Sequence, residues 1–177
     1  KNIPIFIVAP LKGHEFHRAC ANVGGEFIQI SPASPHCINV MEIRRVDRSV
    51  SELLDGPGIQ LSELAAKIQQ LHIIPDMSHE ERQLLDEALI RTYNAKGITH
   101  DNASLEDPSN PGQYREMPVL GDLHEILKAS PETTRMAHIL NRLVHGSAST
   151  FNKQTNVRLD NKYTVLDIFS LTGDLLT

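Results

Sequence analysis

Ile5-Phe-Ile-Val-Ala-Pro-Leu-Lys-Gly-His-Glu-Phe16, followed by Gly24-Gly-Glu-Phe-Ile-Gln-Ile-Ser-Pro32 and Cys37-Ile-Asn-Val-Met-Glu-Ile43, is the stretch that decides the fold. The apolar run Ile3, Ile5, Phe6, Ile7 and Val8 ends at Pro10. Its apolar residues are continuous rather than alternating, which predicts a strand buried on both faces. A short helical stretch and a Gly-Gly break lead to a second strand from Glu26 to Ile30. Strand, crossover and strand in so short a span predict a parallel α/β sheet. The polar turn Leu11-Lys-Gly-His-Glu15 then falls at the carboxyl end of the first strand, where open α/β sheets place their ligands.

Farther along, the pattern turns helical. Leu61, Leu64, Ala65, Ile68 and Leu71 recur at helical spacing. Ser78-His-Glu-Glu81 is a capping box, and the helix behind it carries Leu84, Leu85, Ala88, Leu89 and Tyr93 and stops at Gly97. Residues 98–117 are polar, contain Pro108, Pro111 and Gly112, and read as a long mobile loop. Asp122 and Glu125 read as a second capping pair. Ser130-Pro131 opens another helix, with Met136, Ile139, Leu140, Leu143 and Val144 on its buried face and Gly146 at its close. Val157 and Leu159 begin a possible strand, and Tyr163 to Ile168 reads as a strand of the sheet. The expected organisation is an α/β core in residues 1–47 and 147–177, split by a helical insertion in 48–146.

Bulk properties bound the function. The 177 residues are 40% hydrophobic and 22% charged, ordinary values for one soluble core. A net charge of −5 does not point to a dominant nucleic-acid-binding surface, leaving DNA contact only to a local basic patch. No stretch approaches the roughly 20 apolar residues of a membrane span. The start, Lys-Asn-Ile-Pro, is not a signal peptide, and the chain reads as an excised fragment. Cys20 and Cys37 are too few for a disulfide framework and are expected to be reduced.

Candidate chemistry is sparse. His14, His17 and Cys20 share one helical face, but His14-Glu-Phe-His17 is one residue short of the zincin spacing, and no second cluster completes a metal site. The phosphate-binding pattern Gly-x-x-x-x-Gly-Lys-Ser/Thr is absent, and Lys12-Gly13 has its residue types in reversed order. Val165-Leu-Asp167 looks like the end of a Walker B strand without the glutamate that follows there. Glu15, just beyond the first strand, is placed to position a water or polarise a nucleophile, although a helix-start acid needs no such role. Gly-x-Ser-x-Gly is absent, and Arg44, Arg45 and Arg48 read as a solvated linker.

Taken in order, several stretches resemble conjugal transfer ATPases of type IV secretion systems, the VirB-type motor family. They are Ile7-Val-Ala-Pro-x-x-Gly-x-Glu-Phe16, Gly24-Gly-Glu-Phe-Ile-x-Ile-Ser-Pro32, Ile38-Asn-x-x-Glu-Ile43, Met117-Pro-Val-Leu-Gly-Asp-Leu123, and Val144-His-Gly-Ser-Ala-Ser-Thr-Phe-Asn152 with Thr155-Asn-Val157 and Leu166-Asp-Ile168. The resemblance implies a partial RecA-like P-loop NTPase sheet, of the kind found in DNA-pumping ATPases, with a large all-helical insertion. It also implies ATP and Mg2+ as the parent's ligands and assembly into a homo-oligomer, commonly a hexamer. The partners would be other secretion components, at the cytoplasmic face of a membrane. By the same resemblance Glu15 matches the family's Gly-Glu acid near the catalytic centre, and Lys12 and Gly13 stand near the nucleotide. The family's Walker A strand would precede Lys1 and its Walker B acids would follow Thr177, so the chain alone is expected to be inactive. Ala9 stands where the family has an aspartate, and the segment Leu71 to Asp76 is short by comparison. The alternatives are a non-catalytic docking module of a transfer apparatus and a metallohydrolase built on His14, His17 and Cys20.

Overall fold

The computed structural model describes residues 3–10, 13–31, 34–43, 74, 76–146, 149–158 and 161–170. Among the described residues three parallel strands form one sheet: β1 (Ile5–Ala9), β2 (Glu26–Gln29) and β3 (Tyr163–Asp167), in the order β1-β3-β2. β3 is drawn from the far end of the sequence and lies between the two strands near its start. Its register runs from Ile5↔Tyr163 to Ala9↔Asp167 on one side and from Glu26↔Thr164 to Gln29↔Asp167 on the other. The crossover between β1 and β2 is helix α1 (Gly13–Asn22). Gly24, at φ 66°, makes the left-handed turn that returns the chain to β2.

The two faces of the sheet are covered differently. On one, Ala9, Val165, Ile7, Phe27 and Tyr163 pack with Cys20 and Phe16 of α1. On the other, Ile28, Ile30, Leu166 and Ile168 pack against Ile38, Phe151 and Val157. That second cover does not reach β1. Phe6 and Val8 are 54% and 51% exposed, and Ile5 and Ile3 are 48% and 73% exposed. The expectation that β1 is buried on both faces is therefore corrected. A continuous apolar run shows that both faces of a strand can be buried, but β1 pairs only with β3 among the described strands, at the sheet's edge. Its outward face is an uncovered apolar strip.

Among the described residues between β2 and β3 are three α-helices with their own core: α2 (His79–Ala95), α3 (Leu120–Lys128) and α4 (Thr134–Val144). Leu85, Leu89, Tyr93, Leu123, Leu127 and Leu140 pack together there. The capping box of α2 forms as expected: Ser78 Oγ accepts from Glu81 N at 3.1 Å, and Glu81 Oε2 accepts from Ser78 N at 2.9 Å. The cap of α3 is corrected. Val119 occupies the N-cap, and Asp122 reaches back to accept from its amide at 2.8 Å, so Asp122 sits inside the helix rather than before it. Glu125 instead pairs with Lys128 at 3.0 Å. Ser130 caps nothing with its side chain, and Pro131–Thr133 is a 3-10 turn leading into α4. Residues 98–117 carry a short 3-10 turn (Asn102–Leu105) and a Glu106↔Tyr114 bridge. Val157 lies outside any strand, packed as part of the cover over β2. The apolar stripe of 61–72, the cluster Arg44, Arg45 and Arg48, and Leu159 lie outside the described residues.

Candidate functional site

The carboxyl ends of the parallel strands gather the polar residues of interest. β1 ends at Ala9, and α1 starts at Gly13, directly over the end of β3. Gly13 is buried, and a Cβ built on it would stand 2.2 Å from Asp167 Cγ and 2.3 Å from Asp167 Oδ1. No side chain fits there, so the glycine admits the aspartate. Asp167 is itself only 5% exposed. Its Oδ1 accepts from Phe169 N at 3.0 Å, its carbonyl accepts from Ile30 N at 2.9 Å, and the next amide, Ile168 N, donates to Ala9 O at 3.2 Å. A carboxylate beside the start of a helix is favoured by the helix dipole.

Glu15 lies in the first turn of α1 and is exposed. The structure thus brings Gly13, Glu15 and Asp167 to one end of the sheet, while Lys12 lies outside the described residues. The space next to Gly13 is filled by a carboxylate, which does not suit a phosphate at that point of the helix.

His14, His17 and Cys20 do not assemble into a metal centre. Cys20 is 1% exposed and turned into the sheet, where burial, with Glu26 nearby, pushes its thiol pKa up. His17 stands edge-on to the Phe27 ring, centroids 5.0 Å apart. Among the described residues no group of three or more histidine, cysteine or acidic side chains could hold a metal ion. Glu15 and Asp167 therefore do not form a Mg2+ site on their own. His79, His138 and His145 are exposed positions at or along helices.

Sequence reasoning missed a polar clasp beside the sheet. Asn39 is 3% exposed; its Oδ1 accepts from Met41 N at 2.9 Å and its Nδ2 donates to Pro118 O at 2.9 Å and to Gln154 Oε1 at 3.2 Å. Thr155 Oγ1 accepts from Asn39 N at 3.0 Å, and Gln154 Nε2 donates to Met117 O at 2.6 Å. Asn152 Oδ1 accepts from Gly121 N at 2.6 Å. The only signal in the sequence was the run of amides Asn152, Gln154 and Asn156 in a stretch without regular structure.

Comparison with family sequence models and with curated proteins returns no match. Comparison with solved structures does. VirB4 of Thermoanaerobacter pseudethanolicus superposes on 97% of this chain with a TM-score of 0.72 and 23% sequence identity. The chain shares its fold with VirB4. It spans 44% of the VirB4 chain, so more than half of that protein has no counterpart here. The likeness to VirB4 takes in both the three-stranded sheet and the helices between its strands, since the matched 97% leaves room for neither to be missing. At this identity the VirB4 comparison speaks for the fold, and the site residues are argued from their own geometry. No helix among the described residues is long and apolar enough to cross a membrane.

Proposed function

We propose that this chain is the central portion of a type IV secretion motor ATPase. In this reading it contributes part of a RecA-like sheet and the helical insertion to a longer polypeptide. The observation that carries the reading is the VirB4 fold over 97% of the chain at only 44% of the VirB4 length. The uncovered edge of β1 supports it. Four large apolar side chains there, Ile3, Ile5, Phe6 and Val8, are what an interior strand of a larger sheet needs. The absence of a phosphate-binding loop from the 177 residues also agrees with a piece that lies between the nucleotide-binding elements.

Within that motor, Glu15 is the residue proposed to act on the reaction. A carboxylate in the first turn beyond a strand's carboxyl end can orient and partly deprotonate the water that attacks a γ-phosphate. Substrate ATP, the hexameric assembly and contacts with other secretion components belong to the same proposal. The test is ATP hydrolysis by the full-length protein and by the 177-residue chain. Turnover is expected from the first and none from the second, and Glu15→Gln in the full-length protein should lower kcat about 10²–10⁴-fold with nucleotide affinity unchanged. ATP hydrolysis by the isolated chain, or a full-length protein that neither binds nor hydrolyses ATP, would overturn the reading.

A further inference from the structure

We infer that Asp167 is a positioning residue: buried at the end of the central strand, it fixes the start of α1 through Gly13 and so sets where the Glu15 carboxylate stands. The inference rests on the motor reading above, which gives the placement of Glu15 its purpose.

The contact is rigid on both sides. Asp167 is held at its carbonyl by Ile30 N and at Oδ1 by Phe169 N, and the following amide is tied to Ala9 O. Its Cγ is one bond from a Cβ in the middle strand of the sheet, with neighbours in register on both sides, Ala9 and Gln29. Gly13 offers no flexible tip that could yield, because it offers no side chain. The distances from its would-be Cβ, 2.2 Å to Cγ, 2.3 Å to Oδ1 and 2.8 Å to Cβ of Asp167, leave the helix no closer approach.

Glu15 is in the same helical turn as Gly13, so the two move as one body. A methyl at position 13 must push α1 away from β3, since the sheet cannot give. Cys20, buried against the sheet, holds the second half of the helix, so the displacement falls mainly on the first turn. A misplacement of about 1 Å at a reacting group costs roughly 100-fold in rate. Asp167 therefore sets the contact distance at the start of the helix.

The test is a double-mutant cycle on ATP turnover in the full-length protein. Gly13→Ala should lower kcat about 10–100-fold while the KM for ATP stays within about twofold. Asp167→Ala removes the two closest atoms and leaves a contact of 2.8 Å. Added to Gly13→Ala, it should therefore recover part of the lost kcat, so that the two losses combine to less than their product. Losses that simply multiply would overturn the inference. Asp167→Asn keeps the shape and the acceptor for Phe169 N, and it should retain most of kcat. An asparagine as damaging as alanine would assign the charge itself to the chemistry and overturn positioning. Should Gly13→Ala fail to fold, the double variant and the Asn-versus-Ala comparison decide the matter. Glu15→Gln is the control. Wild-type protein without ATP turnover, or turnover indifferent to Glu15→Gln, fails the motor reading and takes this inference with it. Turnover that needs Glu15 but ignores Gly13→Ala overturns this inference alone.

Discussion

Cys37 and Asn156 are joined twice: Asn156 Oδ1 accepts from the Cys37 amide at 2.7 Å, and the Cys37 carbonyl accepts from the Asn156 amide at 3.1 Å. The pair stitches the segment leaving the sheet, residues 34–43, to the one returning to it, residues 149–158. Apart from the 3-10 turn Ser149–Phe151, neither segment is a helix or a strand, so their backbone groups need partners from side chains. Asn39, Gln154, Thr155 and Asn156 supply them, and Phe151 packs against both the helical core and the cover over β2. The clasp thereby links the helices to the sheet.

Asn39 is the centre of this clasp, and its removal should be felt throughout. Asn39→Ala strands the amide of Met41, itself 0% exposed, and frees the Pro118 carbonyl. The expected loss is about 2–3 kcal/mol in denaturant unfolding. Hydrogen exchange should quicken at Met41. A loss below about 0.5 kcal/mol would show that water replaces the clasp at no cost.

Tyr93 makes a second link, its hydroxyl donating to Met41 O at 2.5 Å from the last turn of α2. Burial pushes the Tyr93 pKa well above the usual tyrosine value. Because the folded pKa is raised, the stabilisation is complete below the unfolded value of about 10 and is lost as pH rises beyond it. Tyr93→Phe should cost about 1–2 kcal/mol near neutrality. It should also flatten the fall in stability above that pH, read from unfolding curves at a series of alkaline pH values. An unchanged alkaline slope would place its cause elsewhere.

The start of α2 gives a prediction of opposite sign. The Ser78 amide first, with Arg135 at 2.8 Å assisting, holds the Glu81 carboxyl below its usual range. A depressed folded pKa gives stability that is present above the unfolded value of about 4.3 and disappears as pH falls through the folded one. Ser78→Ala should cost about 1 kcal/mol at neutral pH. Glu81→Gln should reduce the acid dependence of thermal unfolding. Equal acid slopes in wild type and Glu81→Gln would count against this account.

How far the sequence reached follows from the kind of force involved. The α2 stripe of Leu85, Ala88, Leu89 and Tyr93, its capping box and the strand at Tyr163 to Asp167 were legible because spacing of three and four, a Ser-x-x-Glu cap and β-branched runs are local signals. Strand order was not, since nothing near Tyr163 says that it inserts between β1 and β2. The start of α3 was misplaced because a carboxylate in the first turn reads alike whether it precedes the helix or reaches back to it. At the site, Glu15 and Gly13 could be named from the turn, yet the reason for Gly13 lies in Asp167, far away in sequence. The clasp was invisible for the same reason, its partners being joined across 31 to 119 residues, the last from Cys37 to Asn156.

The exposed strip on β1 supplies the last prediction, which separates a complete surface from one awaiting cover. Phe6→Thr with Val8→Thr keeps β-propensity while removing apolar area from the face that no described element covers. In the isolated 177-residue chain the pair should shift unfolding by no more than about 0.5 kcal/mol and should reduce self-association in sedimentation. In the full-length protein, where further structure is proposed to pack on that face, the same pair should cost more than about 2 kcal/mol. Equal and small effects in both would mean that Phe6 and Val8 stay exposed to solvent, and the larger sheet would lose its main structural support. A large loss already in the isolated chain would mean that the strip is covered from within these 177 residues.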